Sequence, residues 1–317
     1  MIKTKIDVAV GVLYNEKGQL IISKRKKDKP HPGLWEFPGG KREANEEIQD
    51  TLSRELHEEL GIEIKKYRPL INIKSIDGEC ELNLYVFLIH EWTGKLCGRE
   101  GQIVSAVFYS ELLSLQMPES NRHIIKSIML PDRFLITPAH INNHELFISN
   151  LRKAFDSGIS LFQLRVFGLD RKYHIELIDE VHKLSRDKNV TMLLNGSFEL
   201  LETTAITSIH LNSSQLHSLK SRPENMKLVS ASCHNAADLK RAMKIGIDFA
   251  VLSPVFPTKS HPDANPLGWK NFENLVDQVS FPVFALGGMK EDHLSTAWRY
   301  GAQGIAGIRG LWPGEIN

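Results

Sequence analysis

The second half of the chain alternates short apolar runs with helical patterns, and this order limits the fold more than any other feature. The apolar runs are eight in number: 134–137, 159–165, 190–194, 206–211, 228–232, 249–253, 283–286 and 304–308. The helical patterns between them include 145–155, 175–186, 236–245 and 292–300. Strands that alternate with helices pair in parallel, and eight such strands close a barrel. The sequence therefore predicts a (β/α)8 TIM-type barrel, of class α/β, for residues 132–317. Because roughly 185 residues is short for this fold, one or two helices should be reduced to turns.

Residues 1–131 have a different pattern, which predicts an α+β domain with a mixed sheet. Two β-branched runs, 6–14 and 20–23, flank Asn15-Glu-Lys-Gly18, which is a hairpin turn signal. A helix is predicted for 46–60, with leucines every fourth residue on one stripe and Gly61 at its end. A strand at 82–90 and a helix at 122–129 follow.

Charge and cysteine content exclude several classes of protein. The 39 Lys and Arg residues almost balance the 38 Asp and Glu residues, so the net charge is +1, which argues against a surface for long nucleic acid. The three cysteines lie far apart without Cys-x-x-Cys spacing, which excludes a disulfide framework and a thiolate zinc site. No apolar run reaches the ~18 residues that span a bilayer. We expect a cytoplasmic protein that does not associate with membranes.

Three carboxylates share one face of the predicted helix 46–60. Glu55, Glu58 and Glu59 stand at positions i, i+3 and i+4, which places them about 5–6 Å apart. Such groups repel one another unless a hard divalent cation such as Mg²⁺, with Mn²⁺ as an alternative, binds between them. Arg54 precedes Glu58 by four residues and can steady its carboxylate. Without a metal, the same pattern is a solvated acidic helix face.

The residues around this helix form a longer motif. It runs Gly40-x5-Glu46-x7-Arg54-Glu55-Leu56-x-Glu58-Glu59-x-Gly61-Ile62. This motif resembles the signature of the Nudix hydrolases at every fixed position, which implies a Nudix fold for residues 1–131. The resemblance implies as metal ligands the Gly39 carbonyl and the carboxylates of Glu55, Glu58, Glu59 and Glu100. It also places Arg54 in the catalytic set. Either Glu55 or Glu100 would deprotonate the attacking water, and the sequence does not choose between them.

Flanking segments resemble the MutT-like branch of this family, which hydrolyses 8-oxo-dGTP to 8-oxo-dGMP and pyrophosphate. These segments are Ile22-Ser-Lys-Arg25, Leu34-Trp-Glu-Phe37-Pro-Gly-Gly40, Gly98-Arg-Glu-Gly-Gln102 and Pro118-Glu-Ser-Asn121. The likeness implies a nucleoside triphosphate substrate, with Phe37 at the substrate, Arg25 on phosphate and Asn121 on the purine edge. Asn121 has an alternative role as the N-cap of helix 122–129.

One departure from the MutT-like branch leaves the substrate of this domain open. In the MutT-like branch, the loop over the base carries a cation. At that place this chain has a stretch that includes Cys80 instead. The alternative substrate is another nucleoside diphosphate derivative, one linked to thiamine metabolism.

Polar residues and glycines collect where the predicted barrel strands end, which is where such barrels carry their sites. They are Arg165, Asn195, Ser232, His234, Thr258, Gly287, Gly288 and Arg309. Glycines after the seventh and eighth strands are typical of a backbone phosphate cradle. The sequence therefore predicts a site for a phosphorylated ligand.

The barrel also resembles the thiamine phosphate synthase/TenI family over roughly residues 132–312. The likeness rests on Phe162-Gln-Leu-Arg165, Ser230-Ala-Ser-Cys-His234, Ser253-Pro-Val-Phe-Pro-Thr258 and Ala285-Leu-Gly-Gly288. Synthases carry acidic residues after strands 3 and 4, where this chain has Gly196 and Gln215. The resemblance then favours a TenI-like tautomerase, with His234 as the catalytic residue and a thiazole phosphate or related ligand. A non-catalytic sensor or scaffold is the alternative.

Overall fold

The computed structural model describes residues 4–27, 31–258 and 265–315. The chain divides into two compact units, Met1–Ile128 and Met129–Asn317. Within the described part of the chain, no helix is both long and apolar enough to span a bilayer.

In its described residues, the N-terminal unit contains two β-sheets and three helices. Its elements are β1 (Thr4–Leu13), β2 (Leu20–Lys24), β3 (Trp35–Glu36), β4 (Gly39–Lys41), α1 (Ile48–Leu60), β5 (Ile62–Asp77), β6 (Cys80–Gly94), β7 (Ile103–Val107), α2 (Tyr109–Leu112) and α3 (Glu119–Met129). One sheet has the strand order β4-β1-β6-β5 and the other has the order β3-β2-β7. Strands β1 and β6 pair in parallel, whereas β4 and β5 pair antiparallel to their neighbours. The mixed sheet that the sequence predicts is therefore confirmed.

The second half of strand β1, residues 9–13, is buried on both faces because helices cover both sides of its sheet there. Ala9 and Leu13 pack in one apolar cluster with the stripe of α1, which consists of Leu52, Leu56 and Leu60. The intervening residues Val10 and Val12 pack in a second cluster with Ile124 of α3. This alternation follows from the two-residue period of a strand. The leucine stripe predicted for α1 is confirmed, and it anchors the helix that carries the carboxylates.

Three local predictions differ from the structure. The turn after β1 forms, but only the bridge between Tyr14 and Leu20 joins β1 to β2. The hairpin does not continue, because β1 pairs with β6 and β2 pairs with β7. Helix α1 begins at Ile48 rather than at residue 46, and it ends as predicted at Gly61, whose φ of 72° is left-handed. Helix α3 begins at Glu119, three residues earlier than predicted.

The C-terminal unit is a closed barrel of eight parallel strands, as the sequence predicts. Its strands are β8 (Arg133–Ile136), β9 (Leu161–Leu164), β10 (Thr191–Leu194), β11 (Ser208–Leu211), β12 (Leu228–Cys233), β13 (Phe249–Leu252), β14 (Val283–Ala285) and β15 (Gly304–Gly307). Its helices are α4 (His144–Asp156), α5 (Arg171–Asp187), α6 (Phe198–Thr203), α7 (Ser213–Ser218), α8 (Ala236–Ile245), α9 (Gly268–Val276) and α10 (Leu294–Arg299). Helices α6, α7 and α10 have six residues each. Among the described residues only turns follow β15, so one of the eight expected helices is reduced to turns as the sequence predicts, and three others are shortened.

Aromatic side chains fill the lower part of the barrel interior. The rings of Phe134, Phe249 and Phe284 lie 5.3–5.6 Å apart, from centroid to centroid. They belong to a cluster of inward-facing residues, while the alternate strand residues pack against the helices. Because these rings close the interior from below, a ligand has access only at the carboxyl ends of the strands.

His210 of β11 lies in a buried polar chain above these rings. Its Nδ1 is 2.7 Å from the Ser230 hydroxyl and its Nε2 is 2.8 Å from the Ser232 hydroxyl. The amide of Asn195 donates to the His210 carbonyl at 2.9 Å. Burial, with a smaller contribution from the charge of Arg165, lowers the pKa of His210 to about 3. The imidazole is therefore neutral in the folded protein at pH 7.

We predict that His210 makes barrel stability depend on pH. The pKa of His210 in the folded protein lies below the unfolded value of about 6.5. Its contribution to the free energy of unfolding is therefore fully present above about pH 6.5 and decreases as the pH falls. At about pH 5 this linkage should cost about 2 kcal/mol. Denaturant unfolding at about pH 7.5 and about pH 5 should show this loss, and His210→Gln should reduce it. Equal losses in both proteins would contradict the prediction.

Candidate functional site

Three of the predicted acidic ligands lie on the solvent side of α1. Glu55 and Glu59 are half-buried, and Glu58 is exposed. Nη1 of Arg54 donates to Glu55 Oε1 at 2.8 Å and to Glu58 Oε2 at 3.2 Å. The predicted contact between Arg54 and Glu58 is confirmed, and the same guanidinium also holds Glu55.

The other edge of the Arg54 guanidinium binds Glu46, for which the sequence indicated no role. Nε and Nη2 of Arg54 donate to the two carboxylate oxygens of Glu46 at 2.9 and 3.1 Å. Thr51 donates to Glu46 at 2.8 Å. The hydrogen bond from Arg54 is the main reason that the pKa of Glu46 is lowered to about 2. The signal was present, because Glu46 is a fixed position of the motif.

The two glycines before α1 bring backbone close to the carboxylates. A Cβ on Gly40 would lie 2.1 Å from the carboxyl carbon of Glu55, so this position admits no side chain unless Glu55 moves. The N–H of Gly39 donates to Glu59 Oε2 at 3.1 Å. The resemblance to the Nudix signature implies that the Gly39 carbonyl is a metal ligand, and this role stays a prediction.

Negative charge at this site is only partly balanced by the protein. Burial, with smaller contributions from the charges of Glu36, Glu55 and Glu100, raises the pKa of Glu59 to about 7 against the hydrogen bond from Gly39. Burial also raises the pKa of Glu55. Glu100 lies on a loop and pairs with Lys26 at 3.4 Å.

The donor set suits a hard divalent cation. The groups available are carboxylate oxygens, which Mg²⁺ and Mn²⁺ prefer over nitrogen or sulfur, and the excess negative charge around Glu59 calls for a cation. Among the residues that the structure describes, no group of three His, Cys, Asp or Glu side chains is already arranged to hold a metal. Arg54, Gly39 and Lys26 hold the carboxylates instead.

The predicted substrate residues lie near β3 and α3. Nε of Arg25 donates to Glu36 Oε2 at 2.6 Å, so Glu36 is a further residue at this site that the sequence analysis missed. Asn121 is 5% exposed, and its Oδ1 accepts from the N–H of Phe37 at 3.4 Å. The alternative role of Asn121 as an N-cap is wrong, because α3 already begins at Glu119. The side chain of Phe37 is buried in the core, which leaves its backbone for polar contacts.

A cavity of about 470 Å³ lies at the carboxyl ends of the barrel strands. All eight barrel residues predicted from the sequence line it: Arg165, Asn195, Ser232, His234, Thr258, Gly287, Gly288 and Arg309. Gly287 has a φ of 105°, and a Cβ there would lie 2.8 Å from the Cα of Pro254, so only glycine fits this turn. The volume is within the range of small-molecule sites.

His234 is held from two sides. Its Nδ1 lies 2.8 Å from the carbonyl oxygen of Ser253, which can only accept, so Nδ1 carries the hydrogen. In a neutral imidazole, Nε2 is then the basic nitrogen. The backbone N–H of His234 donates to Asp238 Oδ2 at 2.9 Å, and the other oxygen of Asp238 is 2.8 Å from His217 Nε2.

No carboxylate is found among the described residues that line this cavity. At the positions where synthases carry acidic residues, Nε2 of Gln215 donates to the carbonyl of Gly196 at 2.8 Å. This hydrogen bond joins the segment after β10 to the segment after β11. Gln163, which the sequence places with Arg165 at the end of the second barrel strand, also lines the cavity: it is 2% exposed, and its Oε1 has no hydrogen-bond partner in the described structure.

The chain is similar to known proteins in both halves. A thiamine monophosphate synthase model matches residues 133–311, and a NUDIX domain model matches residues 4–128. A putative thiamine-phosphate synthase 2 of Aquifex aeolicus is 33% identical over 165 residues, which cover 52% of this chain and 89% of the relative. An 8-oxo-dGTP diphosphatase of Buchnera aphidicola is 35% identical over 122 residues, which cover 38% of this chain and 92% of the relative.

A solved structure of MutT, from a study of the Aliivibrio salmonicida and Vibrio cholerae proteins, is 31% identical with a TM-score of 0.36. It covers 40% of this chain and 98% of its own. Because the synthase model spans more than half of the residues, the chain belongs to the thiamine monophosphate synthase family, and it carries a MutT-like Nudix hydrolase domain ahead of that barrel.

Proposed function

We propose that the N-terminal domain hydrolyses 8-oxo-dGTP to 8-oxo-dGMP and pyrophosphate in a reaction that depends on Mg²⁺. The observation that carries this proposal is the arrangement on α1, where Arg54 binds Glu46 on one edge and Glu55 and Glu58 on the other. The similarity to an 8-oxo-dGTP diphosphatase supports the choice of substrate.

The residues proposed to hold the metal are Glu55, Glu58, Glu59, Glu100 and the carbonyl of Gly39. When bound, Mg²⁺ or Mn²⁺ neutralises charge on the phosphates and lowers the pKa of water. Arg25 is proposed to contact phosphate, for which it would exchange its present partner Glu36. The protein thus supplies a positioned acidic cluster next to a cation.

Of the two candidates for the general base, the contacts favour Glu55. Its carboxylate is half-buried beneath Gly40 and is held by Arg54 at 2.8 Å, so its orientation is restricted. Glu100 is exposed on a loop and pairs with a lysine. A general base has to be held within hydrogen-bond reach of the water that it deprotonates. We therefore assign proton transfer to Glu55 and charge balance to Glu100.

Base recognition is assigned to Asn121. Its Oδ1 faces the N–H of Phe37, and its Nδ2 hydrogens have no partner among the described residues. A buried amide with spare donors suits a carbonyl oxygen on the edge of an oxidised purine.

We predict that Glu58→Gln lowers kcat by on the order of 10²-fold or more, because it removes one acidic ligand while conserving shape. Pyrophosphate release from 8-oxo-dGTP over a range of Mg²⁺ concentrations is the measurement. Glu91→Gln, an exposed change on β6, is the matched control and should behave like the unchanged protein. Full activity of Glu58→Gln would contradict the Nudix mechanism here.

For Asn121, we expect Asn121→Ala to cost about 1–3 kcal/mol in the transition state for 8-oxo-dGTP. The value of kcat/KM should fall less for dGTP. Asn121→Asp keeps the acceptor for Phe37 but removes the donors, so it should show the same selective loss. Equal losses on both nucleotides would mean that Asn121 only links α3 to Phe37.

For the barrel, we propose binding of a thiazole phosphate or a related ligand without a metal ion. Expulsion of pyrophosphate needs charge neutralisation, and the described cavity lining supplies no carboxylate to hold Mg²⁺ for that purpose. The cradle at Gly287, Gly288 and Arg309 needs no metal to bind phosphate. Tautomerisation is the reaction that suits His234, and Gln163 Oε1 is available to accept a hydrogen bond from the ligand.

This proposal differs from the synthase activity that the names of the relatives state. A binding experiment tests it. We expect calorimetry on the full chain to show that thiazole phosphate binds equally well with Mg²⁺ and with a chelator. Arg309→Ala should weaken binding at least about 10-fold, while His234→Ala should bind normally and lose any tautomerase activity. Formation of thiamine phosphate from a pyrimidine pyrophosphate, in a Mg²⁺-dependent reaction, would contradict the proposal.

A further inference from the structure

A second cavity, of about 420 Å³, lies beside the barrel cavity. The loop after β8, the first turns of α4 and the segment around Trp312 line it. Arg165, Ile308 and Arg309 line both cavities. The two cavities therefore share two arginines in their linings.

These two arginines have no anionic partner in the described structure. The guanidinium of Arg165 lies 4.8 Å from the ring centroid of Phe167, and it makes no hydrogen bond or ion pair with a described residue. The same is true of the Arg309 guanidinium, which is exposed. Two unpaired guanidinium groups at one junction suit a phosphate, whose oxygens can accept from both.

The far side of the second cavity presents polar groups of two largely buried residues. Asn150 is 5% exposed, and its amide makes no hydrogen bond with a described residue. The indole of Trp312 is 7% exposed and packs on Phe147 at 5.3 Å between centroids, and its N–H has no described partner. This wall is therefore suited to a ring that carries both donors and acceptors.

We infer that the second cavity binds a nucleoside monophosphate, with its base near Trp312 and Asn150 and its phosphate at Arg165 and Arg309. The volume suits a ligand of that size, and the reaction proposed for the N-terminal domain releases a molecule of this class. The choice of a nucleotide as ligand rests in part on the function proposed for the N-terminal domain, whereas the position of its phosphate rests on the two arginines alone. Because both cavities use the same arginines, a nucleotide and a thiazole phosphate should exclude each other.

The test is calorimetry of GMP and AMP on the full chain in the presence of a metal chelator. We expect Asn150→Leu to weaken nucleotide binding at least about 10-fold, whereas Gln163→Leu, in the first cavity only, should leave it unchanged. Asn121→Ala should also leave it unchanged, which excludes binding at the N-terminal domain. Guanosine and inorganic phosphate alone should bind more weakly than GMP, and thiazole phosphate should compete with GMP.

A second pair of variants avoids changes in the core. Leu146 lines the second cavity and is 56% exposed, so Leu146→Glu should fold normally and weaken GMP binding by charge repulsion, while Leu146→Lys should not. If GMP fails to bind while thiazole phosphate binds, the inference is wrong and the proposed function of the barrel stands. If GMP binds but neither Asn150→Leu nor Leu146→Glu affects it, the inference is also wrong. If neither ligand binds, both proposals fail.

Discussion

The acidic face of α1 depends on one guanidinium group. Without Arg54, the carboxylates of Glu55 and Glu58 would face each other one helical turn apart with no positive charge between them, and like charges at this spacing destabilise a helix. Arg54 contacts both, and Glu46 fixes its orientation through two parallel hydrogen bonds. The leucine stripe on the other side of α1 then holds the whole arrangement against β1. A charged surface and a packed core are thus combined in one helix.

Much of the fold could be predicted because the relevant signals are local. The eight barrel strands, the leucine stripe and the glycine stop at Gly61 follow from periodicity and from backbone preference. The separation of β1 from β2 could not be predicted, since it depends on pairing with β6 and β7 much later in the chain. Local turn chemistry indicates that the chain reverses, but it does not determine how far the two strands stay paired.

The site residues also divide into those that the local sequence predicts and those that it does not. The strand-end residues of the barrel were predictable, because every parallel strand ends on the same side of the barrel and their side chains line one cavity there. Glu36 and the second cavity were not, since they depend on residues that are distant in the sequence: Glu36 meets Arg25 on the neighbouring strand, and the second cavity combines residues 138–165 with residues 308–315. The sequence alone could not choose between the two roles of Asn121, because the N-cap role is excluded only by the start of α3 at Glu119, and base recognition stays a proposal.

Strand β1 has a further consequence for how the N-terminal domain unfolds. Its odd-numbered residues Ala9 and Leu13 belong to one apolar cluster, and its even-numbered residues Val10 and Val12 belong to the other. A slip of one residue would exchange the two sets, so each cluster opposes any register that the other would tolerate. The two clusters therefore oppose independent opening, and the amide hydrogens of residues 9–13 should exchange with solvent only when the domain unfolds as one cooperative unit.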